Sequence, residues 1–232
     1  MTEYIFPPGP IAAALVAGTD KLFPVYRIFC VGRNYEAHAV EMGTKPDKEE
    51  PFYFTKSPSA LVATGRTEPY PSETENFHYE LELVVAIGTS GFRVERERAN
   101  DIVFGYAVGL DMTRRDLQLR ARDKGRPWDL GKDVEGSAVL GEIVPAAKIG
   151  HPSKGTIELT VDGITKQKAD ISELINDVSE IIAHLSRFYH LVPGDLIYTG
   201  TPSGVGPVLP GNRIHGYVDG VGIVDLIVGE RA

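Results

Sequence analysis

Short apolar runs of four to nine residues, separated by glycine and proline, dominate the hydrophobic pattern of this chain. Runs of this length between turn residues are typical of β-strands. The segments that predict strands are 25–31, 52–56, 81–87, 102–110, 157–161, 196–199 and 223–228. They outnumber the helical segments and do not alternate with them regularly. The pattern therefore favours a mixed, mainly β fold of the α+β type over a doubly wound α/β sheet.

Three segments have helical periodicity instead. Residues 34–43 predict a short helix with Asn34 as its cap and a glycine at its end. A second helix is predicted to begin at a capping-box sequence that starts with Thr113 and to end before Gly125. A third is predicted over 172–190, where one apolar stripe indicates contact with the core. That stripe consists of Leu174, Val178, Ile181, Ile182, Leu185 and Phe188.

The first 24 residues differ from the rest of the chain. Prolines bracket a single short apolar segment within residues 1–24, which predicts an N-terminal arm that packs on a main domain of residues 25–232. No basic region precedes this segment, so we do not expect a signal peptide. The longest apolar run, 102–110, is far shorter than the roughly 20 residues of a membrane-spanning helix, and no membrane partner is predicted.

Charge and cysteine content narrow the class of protein further. The chain has 24 basic and 32 acidic residues, a formal net charge of −8, and this argues against a nucleic-acid partner. Cys30 is the sole cysteine, which excludes an intramolecular disulfide. This fits a reducing compartment, and we expect a cytoplasmic protein in which Cys30 is a buried strand thiol.

Three carboxylates form the first candidate site. Glu80 and Glu82 are two apart at the start of a predicted strand, so they share one face of it. For this pair alone a solvated face is the favoured interpretation, although Val84 and Ala86 continue the same face as apolar residues. Asp111 follows the longest apolar run, either as a helix cap or as part of a site. If the three converge, hard oxygen ligands select Mg²⁺, Mn²⁺ or Ca²⁺ rather than Zn²⁺.

Two further candidates are polar groups near predicted helices. His38 and Glu41 are three apart on the first helix, so their side chains can meet. They form either an exposed ion pair or a dyad in which Glu41 orients His38 to take a proton from water. Lys132 by itself is more simply a surface lysine.

Two loops complete the candidate features. Residues 199–207 are rich in glycine but have no lysine to close a phosphate loop. A tight turn is the simple interpretation, although its backbone N–H groups could bind a carboxylate. Residues 44–51 are charged and bounded by proline, which predicts a mobile lid beside the His38 helix.

Together these residues resemble the fumarylacetoacetate hydrolase family over about residues 25–228. The segments that carry the resemblance are Gly32-Arg33-Asn34-Tyr35 with His38 and Glu41, Phe54-Thr55-Lys56, His78-Tyr79-Glu80-Leu81-Glu82, Gly105 to Gln118, Gly125-Arg126-Pro127-Trp128, Lys132, and Gly194 to Gly206. The resemblance implies a mixed β-sandwich roll with a few short helices. It also implies a homodimer and cleavage or rearrangement of small β-dicarbonyl acids.

The resemblance further implies roles for particular residues. Glu80, Glu82 and Asp111 would hold the divalent metal, Mg²⁺ or Mn²⁺ with Ca²⁺ as another candidate. His38 with Glu41 would activate water, and Lys132 would offset developing negative charge. The residues expected near the substrate are Arg33, Lys56, Arg114, Arg115, Gln118 and Thr201, with Arg114 and Arg115 available to a distal substrate carboxylate.

The segments 111–118 and 124–129 are most similar to the bacterial fumarylpyruvate hydrolases, a branch of this family that acts in gentisate breakdown. This resemblance implies hydrolysis of a carbon–carbon bond in an acylpyruvate, with fumarylpyruvate giving fumarate and pyruvate. The alternatives that stay open within the family are decarboxylation or tautomerisation of oxaloacetate and isomerisation of a dienedioate. A non-catalytic acid-binding protein is disfavoured because it has no use for the His38–Glu41 dyad.

Overall fold

The computed structural model describes residues 3–43 and 50–232. The strands are β1 (Ala13–Ala14), β2 (Phe23–Pro24), β3 (Arg27–Gly32), β4 (Phe52–Lys56), β5 (Leu61–Ala63), β6 (Arg66–Tyr70), β7 (Phe77–Tyr79), β8 (Leu81–Ile87), β9 (Val103–Asp111), β10 (Thr113–Arg114), β11 (Ala138–Leu140), β12 (Val144–Pro145), β13 (Thr156–Val161), β14 (Ile164–Asp170), β15 (Asp195–Tyr198), β16 (Gly206–Val208), β17 (Arg213–Val218) and β18 (Gly222–Arg231). The helices are α1 (Glu36–Glu41), α2 (Arg115–Asp123), α3 (Asp129–Lys132), α4 (Ala146–Ile149) and α5 (Val178–Leu185). Segments of 3₁₀ helix cover Pro58–Ala60, Arg96–Ile102 and Ile171–Glu173.

The strands are arranged in mixed sheets. The largest sheet runs β4-β3-β15-β8-β9-β11-β5, with β12 added alongside β9. A second sheet runs β14-β13-β17-β18-β6, and smaller ones are β10-β7-β16 and β1-β2. Most neighbours are antiparallel, but β15 pairs with β3, β11 with β5 and β18 with β6 in parallel. This confirms the mixed, mainly β fold. None of the helices in the described ranges is long and apolar enough to cross a membrane.

Strand β8 is buried on both faces, and this fixes where the candidate carboxylates point. Its odd-numbered residues from Leu81 to Ile87 join an apolar cluster that includes Ile157, Ile214 and other residues of the second sheet. Val84 and Ala86, on the opposite face, join a second cluster around β3 and β15. Glu80 and Glu82 therefore lie on the covered face of the large sheet and not on a solvated one.

The N-terminal arm packs on this second cluster. Strands β1 and β2 pair with each other, and Val16 forms a bridge with Ile143 of the main body. Ala14, Val16 and Phe23 are buried in the same cluster as Cys30, which is fully buried as expected. The arm thus places apolar side chains against this face of the large sheet.

The predicted strands agree with the structure to within a few residues, whereas the starts of all three predicted helices and the place of the stripe residue Phe188 differ from the prediction. Helix α1 begins at Glu36 with Tyr35 as its cap, because the Asn34 side chain hydrogen-bonds Asn176 and Thr199 instead. Helix α2 has no side-chain cap, since the Thr113 hydroxyl accepts from Lys132 Nζ and donates to Asp111 O.

The predicted helix 172–190 is two separate elements. A 3₁₀ turn at Ile171–Glu173 is followed by α5, which starts at a capping box formed by Asp177 and Glu180. The chain leaves the helix after Leu185, so Phe188 is 61% exposed and does not continue the stripe. The lid predicted over 44–51 lies outside the described residues except for Glu50 and Pro51.

Candidate active site

Glu80, Glu82 and Asp111 converge in the interior, with one oxygen from each within 4.8 Å of the others. Glu80 lies in the link between β7 and β8, Glu82 is in β8, and Asp111 ends β9. The backbone joins them, because Asp111 N–H donates to Glu80 O at 2.9 Å. All three are buried, so the solvated-face interpretation of the glutamate pair was wrong. Asp111, at the end of β9, belongs to the same buried cluster as the two glutamates.

Two cationic side chains, Lys132 and Arg115, contact Glu80, and a third, Lys56, lies close to Asp111. Lys132 Nζ lies 2.8 Å from Glu80 Oε2 and 2.6 Å from Asp111 Oδ2. The Arg115 guanidinium donates to Glu80 Oε1. Burial opposes ionisation of Glu80, but these two cations outweigh it and hold its pKa well below the ordinary value. Lys132 is buried too, so its interpretation as a surface lysine was wrong.

Lys56 lies beneath the cluster and not in its cavity. Its ammonium group donates to Met112 O at 3.1 Å, to Ser137 Oγ at 2.8 Å and to Lys132 O. It is 2.9 Å from Asp111 Oδ1, yet that oxygen accepts no hydrogen bond. Lys56 therefore ties β4 to the segment that carries Lys132 and leaves one carboxylate oxygen of Asp111 without a proton donor.

Glu82 differs electrostatically from the other two carboxylates. Burial, reinforced by the charges of Asp111 and Glu80, raises its pKa well above the ordinary value. The backbone N–H of Gly200 donates to Glu82 Oε2 at 2.7 Å. A cation among these oxygens would remove the repulsion that raises the pKa. The donor set is entirely oxygen, buried and anionic, which fits a hard divalent ion.

Glycine is required where the loop after β15 covers these carboxylates. Gly200 has φ of +104° and a Cβ there would lie 2.7 Å from Asn34 Cβ, which would displace the N–H that Glu82 accepts. Gly204 has φ of +95° and its N–H donates to Glu41 Oε1 at 3.1 Å. The loop does bind carboxylates through its backbone, as predicted, but these are the protein's own glutamates.

His38 and Glu41 form the predicted pair on α1. Nδ1 of His38 lies 3.1 Å from Glu41 Oε2. Burial opposes ionisation of Glu41, but the hydrogen bonds from His38 and Gly204 outweigh it and lower its pKa. Because an ionised carboxylate only accepts hydrogen bonds, Nδ1 carries a proton, and in a neutral imidazole Nε2 is then the acceptor. His38 is buried and lines the same cavity as Glu80 and Glu82.

One cavity brings most of the predicted site residues together. The predicted residues that line it are Arg33, His38, Glu80, Glu82, Arg115, Gln118, Lys132 and Thr201. Asp111 and Lys56 lie buried behind this wall and are hydrogen-bonded to Lys132. Glu41 is exposed and does not line the cavity, but it is hydrogen-bonded to His38. Arg114 is not among the lining residues, and one of its guanidinium nitrogens donates to Leu130 O at 3.4 Å.

Several cavity residues were missed from the sequence. Arg122, in the last turn of α2, lines the cavity together with Arg115 and Gln118. The spacing 115, 118, 122 places all three on one helix face, and this spacing is the sequence signal that could have identified Arg122. Phe54 and Trp128 add aromatic surface, with Lys132 Nζ 4.8 Å from the Phe54 ring centre. These rings exclude water from the ammonium group.

The fumarylacetoacetate (FAA) hydrolase C-terminal family matches residues 27–228, and the chain belongs to this family. A fumarylpyruvate hydrolase of Ralstonia sp is 57% identical over 190 residues, which cover 81% of this chain and 98% of that protein. An oxaloacetate tautomerase of Escherichia coli (strain K12) is 36% identical over 199 residues, 85% of this chain and 90% of that protein.

A solved structure is also closely similar. The crystal structure of fumarylpyruvate hydrolase from Pseudomonas aeruginosa in complex with Mn²⁺ and pyruvate matches with a TM-score of 0.96 and 49% identity, covering 99% of this chain and 100% of that one. The fold and the family that the sequence motifs implied are therefore confirmed.

Proposed function

We propose that this chain is a metal-dependent hydrolase that cleaves a carbon–carbon bond in an acylpyruvate, with fumarylpyruvate, giving fumarate and pyruvate, as the best candidate. The observation that carries the proposal is that His38, held by Glu41, lines the same cavity as Glu80 and Glu82 of the buried carboxylate cluster. A hydrolase needs both a cation site for a keto acid and a base for water. The names of the Ralstonia and Pseudomonas aeruginosa relatives support this substrate.

The metal-binding residues in this proposal are Glu80, Glu82 and Asp111. Their all-oxygen donor set suits Mg²⁺ or Mn²⁺, with Ca²⁺ as a further candidate, and the Mn²⁺ in the Pseudomonas aeruginosa structure supports a divalent ion. When bound, such an ion supplies Lewis-acid polarisation of the keto and carboxylate oxygens of a pyruvyl group.

Charge favours an anionic ligand in this cavity. The three carboxylates are balanced by Lys56, Lys132 and Arg115, so the buried cluster is formally neutral. A divalent ion would therefore give the cluster a net positive charge. The carboxylate of an anionic pyruvyl head group would lower this positive charge, which favours its binding in a buried site.

The His38–Glu41 dyad activates water in this proposal. Glu41 fixes the tautomer of His38, whose Nε2 accepts a proton as the water oxygen attacks the distal carbonyl carbon. The carbon–carbon bond then breaks, and its electron pair passes to the methylene carbon of the pyruvyl half, which takes up a proton. Lys132 offsets the negative charge that develops on the pyruvyl oxygens.

The remaining predicted residues orient the substrate. Gln118 accepts a hydrogen bond from Arg115, so its amide N–H groups are available to substrate oxygens. Arg33 stays at the cavity wall with its guanidinium 5.5 Å from the Phe52 ring centre. Lys56 acts indirectly, by holding Lys132 O and Ser137 Oγ. Thr201 also lines the cavity.

We assign the distal substrate carboxylate to Arg122 instead of Arg114. Arg114 does not line the cavity, whereas Arg122 does. Arg122 follows Arg115 by seven residues, so the two are separated by roughly 10 Å along the helix axis. This spacing allows Arg115 to serve the buried end of a dicarboxylic substrate while Arg122 serves its tail.

The competing function is turnover of oxaloacetate by tautomerisation or decarboxylation, and isomerisation of a dienedioate is a further alternative. The Escherichia coli relative named as an oxaloacetate tautomerase supports it. These reactions use the same carboxylate cluster but need no water attack, so His38 and Glu41 would have no hydrolytic role. The water-activating dyad favours the hydrolase.

The setting of the enzyme is also part of the proposal. We propose a cytoplasmic homodimer that acts in aromatic catabolism, supported by the buried state of its sole cysteine and by the fumarylpyruvate hydrolase names. Sedimentation of the purified protein tests the dimer.

A substrate panel tests the activity. Fumarylpyruvate, acetylpyruvate and oxaloacetate are each supplied with Mg²⁺, with Mn²⁺ and with EDTA, and the products are identified. We expect fumarate and pyruvate from fumarylpyruvate, with loss of activity in EDTA. Faster turnover of oxaloacetate than of both acylpyruvates would overturn the proposal in favour of the tautomerase or decarboxylase.

A further inference from the structure

Gln167 is a fully buried amide on an otherwise exposed stretch of strand β14. It lies opposite Leu159, at the point where the pairing of β13 with β14 shifts register. Its side chain reaches from the second sheet to the start of β8 and to the loop after β15. Gln167 therefore touches both segments that carry site residues.

The hydrogen bonds of Gln167 fix the orientation of its amide. The backbone N–H of Leu81 donates to its Oε1 at 3.0 Å, so this atom must be the oxygen. The Nε2 group then donates one hydrogen to Thr201 Oγ1 at 2.8 Å and the other to Pro202 O at 2.8 Å. A flipped amide would set a donor against Leu81 N–H and an acceptor against Pro202 O.

This arrangement determines what the Thr201 hydroxyl can do. Because its oxygen accepts from Gln167, its proton must point elsewhere, and it donates to no residue in the described ranges 3–43 and 50–232. Thr201 is buried and lines the cavity beside Glu82 and Glu80. The cavity is thus where an acceptor for this proton has room.

We propose that Gln167 is a positioning residue that makes the Thr201 hydroxyl a hydrogen-bond donor toward a carboxylate or keto oxygen in the cavity. The identity of that ligand rests on the proposed function. Gln167 itself does not line the cavity and acts through Thr201. A hydrogen bond aimed at an anionic oxygen and held in a water-poor site contributes more than an exposed one.

Pyruvate binding to the Mn²⁺-loaded protein, measured by calorimetry, tests this role without relying on turnover. Thr201→Val removes the hydroxyl and should weaken pyruvate roughly tenfold or more. Gln167→Met removes the donors and should weaken it by a smaller factor. The double variant should bind no more weakly than Thr201→Val alone, and Thr201→Ser should bind like the wild type.

Ser186→Ala is the matched control. The Ser186 hydroxyl oxygen accepts a hydrogen bond from Val94 N–H at 2.9 Å and is buried far from the cavity lining. Its loss removes a buried acceptor of a backbone N–H, as Gln167→Met does for Leu81 N–H. It should lower the melting temperature without changing pyruvate affinity.

Gln167→Glu provides a second variant that keeps an acceptor for Leu81 N–H if the methionine variant fails to fold. Its ionised carboxylate accepts from the Thr201 hydroxyl and takes the proton away from the cavity. The loss of pyruvate affinity should therefore grow as the pH rises, and should be absent in the Thr201→Val background. An equal loss in that background would assign the effect to charge repulsion and overturn the inference.

The outcomes separate this inference from the proposed function. Additive losses of affinity in the Gln167→Met, Thr201→Val double variant overturn the positioning role, as does a wild type that does not bind pyruvate. A wild type that binds pyruvate through Thr201 but does not cleave fumarylpyruvate overturns the proposed function and leaves the inference standing.

Discussion

Lys132 Nζ lies 2.6 Å from Asp111 Oδ2 and bridges this carboxylate to Glu80, whose Oε2 is 2.8 Å away. Burial disfavours the charged ammonium, but Asp111 and Glu80 outweigh it and raise the pKa of Lys132. Lys132 therefore remains cationic, and together with Arg115 at Glu80 and Lys56 at Asp111 it offsets the charges of these two carboxylates. Glu82 receives no comparable cation, and it is the carboxylate whose charge a metal would compensate.

Glu82→Gln should remove high-affinity Mn²⁺ binding and the activity with it, because a neutral amide replaces one of three anionic ligands. In EDTA the same variant should be at least as stable as the wild type, since a neutral amide avoids the cost of ionising a buried carboxyl group beside Asp111 and Glu80 as the pH rises. When Mn²⁺ is present at a hundred times the dissociation constant of the wild type, only the wild type should gain about 2.7 kcal/mol in its free energy of unfolding.

Calorimetry and thermal unfolding measure both effects. Glu135→Gln is the matched control, because Glu135 is exposed and is not part of the cavity lining. It should leave Mn²⁺ affinity and stability unchanged. Wild-type Mn²⁺ affinity in the Glu82→Gln variant would contradict the ligand assignment.

Metal affinity should rise with pH. The pKa of Glu82 is raised by burial and by Asp111 and Glu80, so the metal-free protein holds a proton there at pH values where an ordinary glutamate is ionised. Binding a cation to the carboxylate expels that proton, so affinity increases by at most about tenfold per pH unit until the pH exceeds the raised pKa. Calorimetry in two buffers with different ionisation enthalpies measures the released proton. Affinity independent of pH with no proton release would contradict the prediction.

His38→Ala should retain the metal and lose roughly 10²- to 10⁴-fold in hydrolysis, because the general base is removed while the carboxylate cluster is intact. Stopped-flow measurement of pyruvate release, with Mn²⁺ affinity measured in parallel, checks both statements. His215→Ala is the control, since that histidine is exposed and pairs with Asp225 outside the cavity. A loss of less than about tenfold would mean that another group activates water.

Much of this site follows from the sequence, because strand alternation alone places Glu80 and Glu82 on one face. Their burial could not be derived in this way. It depends on the loop of Gly200 to Gly204, which is more than a hundred residues distant along the chain and whose N–H groups bind Glu82 and Glu41. Long-range coverage of this kind has no local signal in the strand.

The errors in the predicted helix starts have two different causes. A capping box formed by Asp177 and Glu180 marks the start of α5, but the apolar stripe extends past both ends of the helix and concealed it. At α2 the Thr113 hydroxyl resembles a cap in sequence. In the structure it accepts from Lys132 Nζ at 2.8 Å, a partner that is distant along the chain and competes with capping.

The choice of Arg122 over Arg114 is the prediction about substrate specificity. Arg122→Gln should lower kcat/KM for fumarylpyruvate by roughly 10- to 100-fold, because a charge-assisted hydrogen bond to the tail carboxylate is lost. It should change kcat/KM for acetylpyruvate by less than about threefold, because that substrate has no tail carboxylate to lose an interaction. Steady-state kinetics on the two substrates measure this ratio directly.

The same helix supplies the comparison that decides between the arginines. Arg120→Gln is the control, since Arg120 is exposed on α2 and does not line the cavity, and Arg114→Gln tests the residue favoured by sequence resemblance. If Arg122 binds the tail, only its substitution changes the fumarylpyruvate to acetylpyruvate ratio. A change confined to Arg114→Gln would mean that this side chain turns toward the substrate from outside the cavity wall. A common loss in all three variants would mean that the positive charge of α2 attracts the dianion without a specific contact, and that loss should then disappear at high ionic strength.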